Sequence, residues 1–256
     1  MTLTPAWRAF GQQACDLEHD FACDDRPALV TALLAAAAPA EDWWQAPVSR
    51  RIAALLDLAL HSSGLRSLDL TLHCEQPGCG KRFDIELPEE AWAQDDGALS
   101  GALTPVAVTT ETGQPLMTLR RPTGADLRAC REDAMTTLLD AGPAAVAHAL
   151  LKRLCLAGTP VDGDAPRAAQ ALAEADPLVA FSVHCTCPEC GTPDDYAIDL
   201  EAEALRRLAL RQIALVDEVH RIASHYGWSE REIFEVPPAR RRLYLQAMNA
   251  NEEPFA

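Results

Sequence analysis

The feature that most constrains this chain is a repeated cysteine turn. His73-Cys74-Glu75-Gln76-Pro77-Gly78-Cys79-Gly80 lines up without a gap on His184-Cys185-Thr186-Cys187-Pro188-Glu189-Cys190-Gly191. Each copy follows an alternating apolar segment and precedes another, ending Ile85-Glu86-Leu87 or Ile198-Asp199-Leu200. A cysteine turn between two strands, closed by glycine, is the pattern of a zinc knuckle. The tight turn aims its thiolates at one point, and glycine accepts the positive φ that closes it. One knuckle supplies two ligands, whereas a structural Zn²⁺ takes four in a tetrahedron, so the two knuckles are expected to face each other. The first-choice ligand set is Cys74, Cys79, Cys187 and Cys190. Cys185 aligns with Cys74, so Cys185 with Cys190 is the rival second half. His73 and His184 are weaker candidates, because strand alternation points them away from the adjacent cysteine.

Nine cysteines are an odd number, and five of them lie in these two turns. The N-terminus lacks a basic stretch followed by an apolar one, so no secretory signal is expected and the reading is cytoplasmic. In a reducing compartment, clustered cysteines serve metal or redox chemistry rather than disulfides. A redox dithiol at Cys187 and Cys190 would need to open a helix, and both flanks read as strands. Four thiolates leave no open position on a metal, so the expected cofactor is one structural Zn²⁺ per chain. The net charge of −16 argues against nucleic acid and against anionic membrane surfaces. Around the knuckles only Lys81 and Arg82 stand against Glu75, Asp84, Glu86, Glu189, Asp194 and Asp195.

The rest of the chain gives an α+β class: zinc-ribbon-like β-hairpins forming a small β core, surrounded by helices, with a helical C-terminal segment. Residues 1–62 read as a helical region. Residues 63–200 read as the β core with a helical insertion over about 123–177, and residues 201–256 as a C-terminal helical region. Leu68, Leu70 and Leu72 alternate with polar residues, as do Phe83, Ile85 and Leu87, which predicts a hairpin with one buried face. A second hairpin is expected over 106–120, turning at Thr112-Gly113. From Leu205 to Tyr226 apolar residues follow a three–four spacing interrupted only by Gln212, and Leu210, Ile213 and Val216 widen the stripe expected to face a core. Ser229 and Glu232 have capping-box spacing, with Trp228 and Ile233 at the staple positions. Leu243, Leu245 and Met248 are expected to dock the last helix.

Other groups carry less. Asp217, Glu218, His220 and His225 lack the spacing that puts two metal ligands on one helix face, and read as a solvated face. Cys15, Cys23, Cys130 and Cys155 stand singly and read as buried small apolar residues, Cys155 within a helix. Trp43-Trp44 before Pro47 reads as a core or helix-entry pair, with a partner anchor as the alternative. No phosphate loop, nucleophile elbow or carboxylate pair indicates an active site or a small-molecule substrate.

Four features, in this order, resemble the baseplate hub assembly protein family of T-even-like phages and related contractile injection systems. They are the first knuckle hairpin, the helix start Arg121-Pro122-Thr123-Gly124-Ala125-Asp126-Leu127, the Cys187-Pro188-Glu189-Cys190-Gly191 knuckle, and the tail. The tail comprises Tyr226-Gly227-Trp228-Ser229-Glu230, the Ile233 helix and Pro238-Ala239-Arg240-Arg241-Arg242-Leu243-Tyr244. The resemblance spans about residues 63 to 250. The first knuckle departs from it, with four residues between its cysteines where the family has two. The resemblance implies a non-enzymatic assembly factor or minor component of the hub, in the host or producer cell or incorporated in the particle. Its partners would be baseplate hub or other tail proteins. The residues expected to meet them are Trp228, Arg240, Arg241, Arg242 and Tyr244, since Arg, Tyr and Trp are enriched at interface hot spots. The alternative classes are a zinc-ribbon nucleic-acid or protein adaptor unrelated to tails, and a zinc-dependent enzyme.

Overall fold

Asp25 opens the first long helix by accepting the Ala28 N–H at 3.1 Å, and Pro27 sits in the first turn, where its missing donor costs nothing. The computed structural model describes residues 7–92, 105–136, 142–161 and 163–252. Helices α1 (Arg26–Ala37) and α2 (Val48–Ser63) lead into the antiparallel hairpin β1 (Ser67–His73) and β2 (Arg82–Pro88). A second sheet has the order β3-β4-β5, from β3 (Val106–Thr109), β4 (Pro115–Leu119) and β5 (Cys155–Ala157). Helices α3 (Gly124–Thr136) and α4 (Gly142–Leu154) lie between β4 and β5, and α5 (Ala165–Ala175) follows. The second knuckle hairpin is β6 (Ser182–Thr186) and β7 (Pro193–Ala197). Helices α6 (Leu200–Tyr226), α7 (Glu230–Glu235) and α8 (Pro238–Glu252) complete the chain. The α+β class, the small antiparallel sheets and the helical C-terminus are as expected.

The principal core draws on elements from both sides of residue 62. Val30, Leu34, Leu55 and Leu56 of α1 and α2 pack with Leu68 and Leu70 of β1, with Leu87, and with Leu200, Ala204 and Leu208 of α6. Of the expected core or helix-entry pair, Trp43 is buried in this core, and Trp44 is half-buried with Arg51 and Arg128 against its ring. Asp199 ties α6 to α1: its carboxylate caps the Ala202 N–H at 2.9 Å and takes two hydrogen bonds from Arg26 at 2.8 and 2.6 Å. A satellite cluster joins Val106, Val108, Met117 and Leu119 to Leu151, Leu154 and Ala168. Strand β5 was not expected. Cys155 lies in it, paired in register with Leu119, rather than in a helix. A three-residue strand has no periodicity to read; only its sheet partner defines it.

Arg51 is fully buried in the α1–α2 junction, donating to the carbonyls of Trp43 and Pro27 and to the Thr31 hydroxyl. A Cβ on Gly124 would collide with its guanidinium, which these three hydrogen bonds hold in place, so a side chain at the start of α3 would displace Arg51. Arg8 forms a bidentate pair with the buried Asp16 at 2.6 and 2.7 Å. Asp16 also accepts the Gly11 and Gln13 N–H groups. The Gln212 amide reaches this segment, donating to the carbonyls of Asp16 and His19 at 3.0 and 2.9 Å. The polar interruption in the α6 stripe is thus a tether for residues 16–19. Among the described residues, no helix is long and apolar enough to cross a membrane.

Candidate metal centre

Both knuckles are built by backbone hydrogen bonds that fold the chain back within one turn of each cysteine. In the first, the Cys74 N–H donates to the Lys81 carbonyl at 2.9 Å, and the Cys79 N–H to Gln76 at 3.0 Å. In the second, the Cys187 N–H donates to Thr192 at 3.0 Å and the Gly191 N–H to Cys187 at 2.9 Å. Gly80 and Gly191 take φ of 58° and 72°, the left-handed conformation read from their aligned positions.

The turns face each other. The Sγ atoms of Cys74 and Cys190 are 3.7 Å apart, those of Cys79 and Cys187 are 3.9 Å apart, and all four lie within 4.8 Å of one another. A tetrahedral ion with metal–sulfur bonds of about 2.3 Å sets its sulfurs about 3.8 Å apart. A disulfide would need about 2.05 Å. The four thiols therefore fit a single metal ion, with cysteine at every corner and no position left for water or substrate. These are the first-choice residues. Cys185 stays outside the set, half-buried in β6 opposite Asp194. His73 is exposed, and His184 points outward to Asp195 at 2.8 Å, as alternation required.

Cys187 and Cys74 are buried, Cys79 is half-buried and Cys190 is exposed. Phe83 and Tyr196 meet edge to face at 5.5 Å beneath them, and the Gln76 amide donates to Asp194 at 3.0 Å, joining the hairpins beside the thiols. Neither the aromatic floor nor this amide bridge was read from the sequence. Strand register pairs Leu72 with Phe83 and Val183 with Tyr196, which is the signal that would have placed both rings.

The four thiols do not share one electrostatic environment. The Gln76 N–H favours the Cys74 thiolate, yet burial and the neighbouring thiols push its pKa up to about 12. Hydrogen bonds from the Thr192 hydroxyl and N–H hold Cys190 down at about 6. Burial, with Cys74 close by, pushes Tyr196 to about 12. Left to themselves the thiols ionise unevenly, because each thiolate raises the cost of the next. A divalent cation at their centre lets all four ionise.

In the C-terminal helices, the expected partner-binding residues divide. Arg240 and Arg242 are exposed. Trp228 and Tyr244 are half-buried, with rings 5.1 Å apart and edge to face, and Tyr226 stacks on Trp228 at 5.1 Å. The Ser229–Glu232 capping box is formed, and Trp228 packs against Ile233. Arg241 is not a surface residue. It is fully buried, donates to the Gly11 carbonyl at 2.8 Å, pairs with Glu218 at 3.0 Å and lies over the Phe234 ring. Glu218 is correspondingly buried rather than on a solvated face. Leu243 is exposed while Met248 docks, and Leu210, Ile213 and Val216 face away from the core. Of the single cysteines, Cys15 is exposed and Cys23, Cys130 and Cys155 are half-buried.

No protein-family model, curated protein or solved structure matches the chain.

Proposed function

We propose that this chain is a non-enzymatic assembly factor, or minor component, of the baseplate hub of a contractile tail or tail-like injection particle. The reading places it in the host or producer cell, with a single structural Zn²⁺ on Cys74, Cys79, Cys187 and Cys190. The closed set of four thiols carries the non-enzymatic part, since it offers a metal no coordination site for substrate. Zinc is the ion of choice for four cysteines in a tetrahedron without redox chemistry. The contractile-tail part rests on the resemblance of the first knuckle hairpin, residues 121–127, the second knuckle and the tail. In this reading the ion clips two hairpins distant in sequence, and Arg240, Arg242, Trp228 and Tyr244 meet a hub protein.

Co-expression with the proteins encoded beside it tests the reading. The tagged chain should capture a hub or other tail protein, and Arg240→Glu with Arg242→Glu should lose that capture while melting like the parent. Turnover by the isolated chain, or capture of nucleic acid instead of a tail protein, would contradict it.

A further inference from the structure

The four clustered thiols are unequal in access. Cys190 is exposed, Cys79 is half-buried, and Cys74 and Cys187 are buried. Their spacing has a direction as well. The short sulfur–sulfur contacts, 3.7 Å from Cys190 to Cys74 and 3.9 Å from Cys187 to Cys79, both cross from one hairpin to the other. The exposed sulfur of the set therefore has a buried sulfur of the opposite hairpin beside it. Cys185 stands outside the set, in β6.

We infer that this cluster is a redox-sensitive clip, in which a two-electron oxidant such as hydrogen peroxide exchanges the metal for a disulfide between Cys74 and Cys190. This rests on the metal reading and not on the contractile-tail one. Thiolate is the reacting form of cysteine, and of the four Cys190 is the one that solvent reaches. Its sulfur attacks one peroxide oxygen, the O–O bond breaks, hydroxide leaves, and the sulfur becomes a sulfenic acid. The Cys74 thiolate then attacks that sulfur: the S–S bond forms, the S–O bond breaks, and a second hydroxide leaves. The two cysteines give up two electrons and the peroxide takes both. The sulfurs have to close from 3.7 Å to about 2.05 Å. Cys79 and Cys187 are left, two ligands where structural zinc takes four, so the ion departs. The hairpins stay joined, because the new bond spans them beside the Gln76–Asp194 hydrogen bond. A Cys187–Cys190 disulfide within the second knuckle would instead release the metal and leave no covalent tie between them.

Hydrogen peroxide added in small increments to the zinc-loaded full chain tests it, with zinc release followed by a colorimetric chelator and disulfides mapped on unreduced peptides. Zinc should leave in step with disulfide formation, and the first linked peptides should be those of Cys74 and Cys190. A thiol reductant with added zinc should restore the loaded protein. Dimedone present during oxidation should label Cys190 among the four. Cys15→Ser and Cys185→Ser remove thiols outside the set, and each should release zinc at the parent's rate. The oxidised zinc-free chain should melt above the reduced zinc-free chain, since a disulfide across so long a loop restricts the unfolded state. Zinc retained under peroxide that already oxidises Cys15, a first disulfide other than Cys74–Cys190, or slower release in Cys185→Ser would each overturn the inference and leave the metal reading standing. A chain that takes up no zinc would overturn both.

Discussion

The helical body and the knuckle junction are held by different forces. In the body, Val30, Leu34, Leu55, Leu56 and Leu68 have no exposed surface, and burying each such side chain contributes about 1.5–3 kcal/mol. At the junction, the buried cluster among the described residues is Cys74, Phe83, Cys187 and Tyr196, lying between two two-stranded hairpins. A two-stranded hairpin is marginal on its own. The comparison teaches that the thiols stand where apolar area runs short: metal–sulfur bonds would replace a core these four strands cannot build.

The largest expected effect is at the junction. Cys74→Ser should abolish tight metal binding and lower the melting temperature by about 10 °C, because structural metal binding is coupled to folding. Metal analysis with calorimetry checks both, and full metal content would break the comparison. Hydrogen exchange sharpens it. Chelation should deprotect the Cys74 and Cys187 amides while those of Leu55 and Leu56 stay protected.

The C-terminal helices are a third regime, in which a buried ion pair joins elements. Arg241→Ala leaves the buried Glu218 only the longer pair with Arg211 at 3.9 Å and should cost about 3 kcal/mol in denaturant unfolding, whereas Arg240→Ala should stay within about 0.5 kcal/mol. Equal effects would contradict the assignment of Arg241 to the interior.

A smaller effect follows from Asp126. Burial disfavours its carboxylate, but two hydrogen bonds from Arg120 at 2.6 and 2.7 Å, and others from the Thr123 N–H and hydroxyl, hold its pKa below the ordinary value. Its contribution is complete above the unfolded-chain value of about 3.9 and is lost as pH falls through the lower folded value. The melting difference between the parent and Asp126→Asn should therefore be constant near neutrality and shrink below about pH 4. A difference independent of pH would refute this. The smallest effect should come from Cys185→Ser, which should retain the metal and melt within a few degrees of the parent. Loss of the metal would revive Cys185 as a ligand.

The four-thiol cluster was legible because its information is local: turn spacing, glycine position and strand alternation select four sulfurs from nine cysteines. The periodicity of α6 and the Ser229–Glu232 cap were legible for the same reason. What escaped was decided at long range. Arg241 is buried because Gly11 and Glu218 meet it, and neither is near it in sequence. Leu210, Ile213 and Val216 satisfy a helical period, yet the period does not say which side a core occupies. Gly124 reads as an ordinary helix-start glycine until Arg51 is placed against it.

The central claim is that Cys74, Cys79, Cys187 and Cys190 together hold one structural ion. X-ray absorption at the metal edge of the purified chain, with the metal quantified, tests it most directly. The account predicts one zinc per chain in a shell of four sulfurs at about 2.3 Å. Nitrogen or oxygen in that shell, two ions per chain, or a well-folded chain that binds none would contradict it.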